Sequence, residues 1–434
     1  MEAGLSKRME RTLNALLPTL TAAAPPPLYD PTTAIDLSSA QNEVIRPELL
    51  EFYKSTVEEN VASQVFALPS LGLKGGDLQA RDALASFFNA YFHPIHSIKS
   101  EHIALTAGGS DAVESLVHAV CDDGDSVIIP GPYWHGFDQI LQPRANVKSI
   151  VAQPPSYEHW DNYLLPSIQA AYDFSTERSR IKAVILCNPH NPLSRCYPKD
   201  TLLGLMEFCQ ERDLHLIVDE MYALTDLNVD VEGPRFASAL SLTDPFLPEG
   251  CVKIDPSLVH VVWSASKLFG MSGFRMGCVI TQQNPHLLSA ISLLTMHHTN
   301  SVAISYITSL LTWSQLPTLL DLNTERLTAS CRLLTEALCS WDIDIVTPTH
   351  GIFLFAKLAK NAKSATDEKR FYNRLAVHGV RVAQGRFHKG VEGDYGWARI
   401  RFSVSPAVMR DALKRIEVFL SQAERAVEEV MGNF

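Results

Sequence analysis

The sequence predicts an α/β fold, a large domain with a mostly parallel sheet flanked by helices, followed by a smaller α+β domain. Short apolar, β-rich runs recur at 102–108 (HIALTAG), 126–130 (SVIIP), 182–189 (KAVILCNP), 215–220 (HLIVDE), 259–266 (VHVVWSAS) and 276–282 (MGCVITQ). Helical stretches separate them, and strands that alternate with helices build a parallel sheet whose ligand lies at the strand C-terminal ends. Near residue 300 the character changes. Helical pattern dominates 302–340, after which HGIFLFAKL (350–358) and ARIRFSVS (398–405) read as strands. The expected division is therefore 1–50 as an N-terminal arm and part of the small domain, 51–300 as the large domain and 301–434 as the small one.

The first 27 residues are basic and then leucine-rich, like the start of a leader. Glu2, Glu10 and Pro18 interrupt the pattern and the apolar run is short, so a signal peptide is not the reading. AAAPPPLYDP (22–31) is proline-rich and predicts an extended arm. A helical pattern begins at Arg46. From Asp77 to Phe92, Leu84, Phe87, Phe88 and Tyr91 recur at i, i+3, i+4 and i+7, the signature of an amphipathic helix. The last helix carries Met409, Leu413, Ile416, Leu420, Ala423, Val427 and Val430 at alternating spacings of four and three. Such a stripe suits a coiled-coil seam, but over this length it predicts one buried face of the small domain.

Of 434 residues, 46% are hydrophobic and 20% charged, which excludes a disordered chain, a collagen and a small disulfide scaffold. A net charge of −11 argues against a nucleic-acid or anionic-membrane partner. Eight cysteines lie without C-x-x-C spacing and read as reduced, mostly buried thiols; no metal site is expected. No window approaches 18 uninterrupted apolar residues. These features together predict a cytoplasmic enzyme.

The sharpest local signal is Ser264-Ala-Ser-Lys267-Leu-Phe-Gly270-Met-Ser-Gly273-Phe-Arg275-Met-Gly277. A lysine at the end of a buried strand needs a reason, because an unpaired ammonium there costs several kcal/mol. Use of the amine as a Schiff-base nucleophile, its pKa lowered by desolvation, supplies one. The glycines permit close backbone approach, and Arg275 with two serines suits a phosphate. A surface turn is the plain alternative. The GMSG at 270–273 is not a G-x-S-x-G nucleophile elbow, since Phe274 holds the last position.

This motif resembles the lysine motif of fold type I pyridoxal 5′-phosphate (PLP) enzymes. It is similar to the class I/II aminotransferase superfamily, and most of all to its 1-aminocyclopropane-1-carboxylate (ACC) synthase-like branch. The resemblance runs from Ile35 to Phe402. It implies that Lys267 carries the cofactor as a Schiff base, and that Ser264, Ser266 and Arg275 hold its phosphate. In VDEMYAL, Asp219 would pair with the pyridine nitrogen and Tyr222 would reach the phenolic oxygen, which Asn191 of NPHNP (188–192) also bonds. Gly109, Ser110 and Asp111, opening a helix after a strand, would present backbone N–H groups to an anion. In GPYWHGF (131–137) the register places Trp134 over the cofactor and leaves Tyr133 beside it. In GWARIRF (396–402), Arg399 would make a bidentate bond to the substrate carboxylate, with Arg401, on the same strand face, as second choice.

Two departures bear on the reaction. Where the family stretch reads A-E-N, position 41 is Gln, a neutral amide that cannot perform acid–base work. Lys74 stands where plant-type ACC synthases place a tyrosine contributed by the partner subunit, and a cation there disfavours a sulfonium. The resemblance implies a homodimer with shared sites, in which an α-amino acid displaces Lys267 and the freed amine removes the α-proton. Two outcomes remain open. One is ACC-synthase-like γ-elimination, cyclisation or γ-replacement on S-adenosylmethionine or a related substrate; the other is transamination to a keto acid. A non-catalytic PLP-fold binding protein is a third reading, opposed by the intact set of site residues.

Overall fold

Central to the larger sheet are Ile181–Cys187, His215–Asp219 and Val259–Ser264, near-continuous apolar runs. The reason is burial on both faces. Val184, Leu186, Leu216, Val218, Val261 and Trp263 point into one apolar cluster. Ala183, Ile185, Ile217 and Val262, at the alternate positions, point into another. Seven described strands make this sheet, in the order Ile103–Thr106, Gly277–Thr281, Val259–Ser264, His215–Asp219, Ile181–Cys187, Ser126–Pro130 and Lys148–Ala152. Gly277–Thr281 alone is antiparallel to its neighbours; the other six point the same way. This is the α/β class that the alternation predicts. The sequence reading passes over Lys148–Ala152, an edge strand whose first four residues are exposed or half-buried, so its apolar signal is weak.

The structure is a computed structural model that describes residues 5–22, 24–26, 28–60, 74–157, 160, 162–243 and 254–431, without the side chains of 19, 22, 57–60 and 423–431. A smaller five-stranded sheet follows the order Ile35–Leu37, Val380–Gln384, Ala398–Arg401, Phe353–Ala356 and Ile345–Val346. Ile35–Leu37 lies parallel to Val380–Gln384, so a strand from the start of the chain closes a sheet made near its end. Helices Leu316–Ser340, Ala365–Val377 and Pro406–Met431 cover this sheet through Leu327, Leu334, Leu375, Ile416 and Phe419. On the last helix Met409 and Ile416 are buried, with Leu413 and Leu420 packed against the same core. The stripe's Ala423, Val427 and Val430 lie outside the described side chains.

Helix Leu78–Tyr91 forms where the periodicity places it, with Asp77 accepting from the Ala80 N–H at 2.9 Å as its N-cap. Ahead of the proline-rich stretch the chain forms a helix, Lys7–Ala22, which the sequence reading does not include. A two-stranded ladder pairs Tyr133–Trp134 with His388–Lys389, joining a loop of the larger sheet to a loop of the smaller one. Among the described residues no helix is long and apolar enough to cross a membrane.

Candidate active site

Strand direction determines what reaches the cleft. Because six strands of the larger sheet run one way, the loops after Thr106, Pro130, Cys187, Asp219 and Ser264 all leave at one edge. The reversed strand Gly277–Thr281 begins at that edge and therefore delivers Arg275, just before it, to the same place. A cavity of about 350 Å³ opens there, and Arg399 of the smaller sheet also lines it.

Lys267 lines this cavity from the short helix Ala265–Leu268, and its Nζ donates to the Ala40 carbonyl at 2.8 Å. That contact depends on Gly270, whose φ is +66° and where a Cβ would sit 2.0 Å from the Asn42 carbonyl oxygen. The Asn42 amide donates in turn to Leu268 O at 2.8 Å, which locks segment 40–42 onto the lysine loop. Burial, reinforced by the Arg399 charge and opposed by Asp219, lowers the Lys267 amine to about 8.

Asp219 ends its strand inside the cavity, with Oδ1 accepting the Met221 N–H at 3.1 Å. Burial raises its carboxyl to about 6, against the pull of that N–H and of Lys267. It is thus an anion at neutral pH, held in a site of low polarity. Tyr222 lines the cavity with its ring edge-on to Phe353 at 5.1 Å, and burial pushes its phenol up, so it stays a proton donor. Asn191 also lines it, and its Oδ1 accepts from Arg399 Nη1 at 2.9 Å. The first asparagine of that motif, Asn188, instead braces the loop: Oδ1 accepts from Tyr197 N–H at 3.1 Å, and Nδ2 donates to Ala237 O at 3.2 Å.

The two arginines of Ala398–Arg401 share a strand face and differ in surroundings. Arg399 donates to Asn191 and, from Nη2, to Ser38 O at 3.0 Å, lies over the Phe353 ring at 4.7 Å, and faces the cavity. Arg401 does not line the cavity; it is paired with Glu43 at 2.8 Å and bonded to the carbonyls of Gln41 and Asp36.

At the other end of the cavity the N-terminus of helix Gly109–Val120 brings Gly109 and Ser110 beside Ser266, Ser272 and Arg275. Gly108, at φ +89°, lets the Arg275 guanidinium lie against the helix start, where a Cβ would meet Nη2 at 2.9 Å. Arg275 spends two donors on Ser272 O and Ala107 O, each at 2.9 Å, and three of its N–H groups remain for an anion. Trp134 forms a wall of the cavity and packs on Gly136, where a Cβ would come within 2.1 Å of its ring.

Besides Arg401, five of the residues singled out from sequence lie off this cavity. Ser264 caps helix Ala265–Leu268 and turns its hydroxyl to Met221 Sδ at 3.0 Å. Asp111 accepts from the Ala107 N–H at 2.8 Å and pairs with His298 at 2.8 Å, so it fixes the helix start. Tyr133 is buried, its hydroxyl donating to Asp138 at 3.2 Å, and Trp134 takes the place in the cleft. Gln41 contributes its carbonyl to Arg401 and Ser403, and its side chain does not line the cavity. Lys74 is exposed in the turn before the glycine pair 75–76, outside the cavity of its own chain. Conversely, Ser39, Ala40, Phe137, Cys187, Met221 and Ser272 line the cavity and are not among the site residues the sequence suggests. Ala40 acts through its carbonyl, which no side-chain pattern reveals.

The donor set fits pyridoxal 5′-phosphate. A cation, three hydroxyls and a helix N-terminus line the cavity for a phosphate, and a buried carboxylate lines it for a pyridine nitrogen. A buried amine of lowered pKa is present for an aldehyde, and an indole wall for a flat ring. The sequence profile of the family "Aminotransferase class I and II" matches residues 71–416. The chain is 34% identical to a probable aminotransferase of Aspergillus oryzae, over 97% of this chain and 99% of that one. It is 26% identical to 1-aminocyclopropane-1-carboxylate synthase 2 of Arabidopsis thaliana, over 92% of this chain and 81% of that one. Among solved structures, a mutant aspartate aminotransferase of Thermus thermophilus superposes with a TM-score of 0.70 at 22% identity, over 96% of this chain and 99% of that one. Geometry and comparisons converge: the chain belongs to the class I and II aminotransferase family, enzymes whose cofactor is pyridoxal 5′-phosphate.

Proposed function

We propose that the protein is an aminotransferase that converts an α-amino acid to its keto acid, with Lys267, Asp219, Asn191, Tyr222 and Arg275 serving the cofactor and Arg399 the substrate. One observation carries this reading: an amine, a carboxylate and a guanidinium from three separate loops and strands converge on one cavity. Pyridoxal phosphate, when bound, supplies an aldehyde for amines and a ring that withdraws electrons from the substrate Cα. Arg399 binds the substrate carboxylate; its planar fork suits two parallel bonds, and the Asn191 and Ser38 oxygens hold it in place. Lys267 Nζ, its pKa lowered to about 8, takes the α-proton and returns it one position away. Asp219 stays ionised above about pH 6 and holds a proton on the pyridine nitrogen. The aminotransferase name of the Aspergillus oryzae relative supports this outcome.

A second reading, γ-elimination with cyclisation or replacement on S-adenosylmethionine, draws support from the similarity to the Arabidopsis synthase. The cationic Lys74, by family near the partner's cleft, weighs against a sulfonium substrate, while the Gln41 side chain lies off the cavity and bears on neither reading. By family, a homodimer with Lys74 near the partner's cleft is part of the proposal. The test is incubation of the holoenzyme with S-adenosylmethionine and a panel of amino acids, read by mass spectrometry. Keto acid with pyridoxamine phosphate is the expected result; methylthioadenosine release without keto acid overturns it in favour of the second reading. Borohydride reduction is expected to fix the cofactor on Lys267, and label on any other residue removes the lysine assignment.

A further inference from the structure

Helix Leu316–Ser340 turns an apolar stripe to the core through Leu316, Leu319, Leu327, Leu334 and Leu338. Asn323 stands within that stripe, one turn from Leu319 and one from Leu327, and is fully buried. Its Oδ1 accepts from Asn42 Nδ2 at 2.8 Å, while its own Nδ2 has no partner among the described residues. A leucine there would pack with its neighbours and leave no amide unpaired. The asparagine therefore costs stability and needs a reason.

Asn42 supplies one. Its Nδ2 also donates to the carbonyl of Leu268, the residue after Lys267, at 2.8 Å, and its Oδ1 accepts the Val44 N–H at 3.2 Å. Its backbone carbonyl lies against Gly270, just beyond the lysine helix. The neighbouring residues are tied to the smaller sheet instead: Ser38 O accepts from Arg399, and Gln41 O from Arg401 and Ser403. Asn42 thus sets where this segment stands relative to the lysine helix, and with it where the Ala40 carbonyl meets Lys267 Nζ. That meeting matters because a lysine amine turns freely about its last bond. With one N–H held by Ala40 O at 2.8 Å, the lone pair that takes a proton is confined to fewer directions.

We propose that Asn42, steadied by Asn323, is a positioning residue for proton transfer by Lys267, acting through the Ala40 carbonyl that orients the amine. The inference rests on the proposed role of Lys267 as the proton carrier. Neither asparagine lines the cavity, so neither touches the cofactor site or the substrate site.

The test follows α-proton exchange of a panel of amino acids in heavy water by NMR on the holoenzyme, which reads the proton transfer itself. Beside it, the rate at which the apoprotein captures saturating pyridoxal phosphate, trapped by borohydride, reads the amine without turnover. Asn42→Ala is expected to slow exchange about 10–100-fold and capture about tenfold, with amino-acid and cofactor affinities within about threefold of wild type. Asn323→Ala is expected to slow both rates by about threefold, and the double variant to be no slower than Asn42→Ala, since one residue acts through the other. Unchanged rates in folded Asn42→Ala, a fall matched by an equal loss of amino-acid affinity, or additive effects in the double variant overturn the proposal. If Asn42→Ala does not fold, Asn323→Ala decides, and unchanged exchange and capture there overturn it. If no amino acid exchanges its α-proton in the wild type, the aminotransferase reading fails, and the capture rates still decide the role of Asn42.

Discussion

The larger and smaller sheets meet at one cleft and equip it in different ways. From the larger sheet come Lys267 on the short helix after its strand, Asp219 at the end of its strand and Arg275 just before its strand, so strand direction gathers the residues proposed for the cofactor. From the smaller sheet comes Arg399, on a strand interior, held by a carbonyl from segment 35–42 and an amide from the other sheet. One side carries a charge-rich site at the edge of a doubly covered sheet. The other carries two buried arginines on one short strand, one facing the cleft and one consumed by Glu43. On the proposed assignment, reaction and recognition are built separately: the residues proposed for the cofactor stand at the edge of the larger sheet, and the arginine proposed for the substrate stands on the smaller one.

Substitutions divide along that line. Lys267→Ala is expected to have the largest effect, a fall in kcat on the order of 10⁴-fold, with loss of borohydride labelling. Steady-state kinetics on the reconstituted variant would show it; a fall under tenfold would place the proton transfer elsewhere. In the smaller sheet, Arg401→Met leaves the Gln41 and Asp36 carbonyls without their charged donor, while Glu43 keeps Arg46 at 3.2 Å, and is expected to cost about 3 kcal/mol in urea unfolding. A loss below 1 kcal/mol would make the pair a surface interaction and weaken the contrast with Arg399.

A third prediction concerns pH. The Lys267 amine sits at about 8 in the folded apoprotein against an ordinary 10.5. Its folded pKa is depressed, so it costs nothing above 10.5, and the cost grows as pH falls and is complete below about 8. At about 1.4 kcal/mol per pH unit the full cost is about 3 kcal/mol. Lys267→Met apoprotein should therefore be more stable than wild type at pH 7, with the gap closing towards pH 10.5. Parallel urea titrations across that range check the sign. Smallest is Asp219→Asn, expected to weaken cofactor retention by about 10–100-fold in equilibrium dialysis while leaving the fold intact.

The same division governs what the sequence reveals. Central strands of the larger sheet are buried on both faces, so each is an unbroken apolar run, and the chemistry next to them falls into contiguous motifs such as SASK and VDEMY. The smaller sheet offers one such run, Phe353–Ala356, and its other strands are short or mixed. Ile35–Leu37 has three residues and Ile345–Val346 two, and Val380–Gln384 mixes Arg381 and Gln384 into its apolar positions. The pairing of Ile35–Leu37 with Val380–Gln384 joins residues more than 300 apart in sequence, which no local period encodes. Strand parity places Arg399 and Arg401 on one face without telling them apart, because the distinction comes from Glu43 and Asn191 on remote segments. Within the cleft, side chains that announce themselves are legible and a backbone carbonyl such as that of Ala40 is not.

The claim that the two sheets divide cofactor from substrate is tested most directly by Arg399→Ala, with cofactor and amino-acid affinities measured on the same preparation. Equilibrium dialysis gives the first, and spectral titration of the holoenzyme gives the second. The account predicts cofactor affinity within about twofold of wild type and amino-acid affinity weakened about 100-fold, the loss of a bidentate charged contact. Equal weakening of both, with the fold intact, would contradict it.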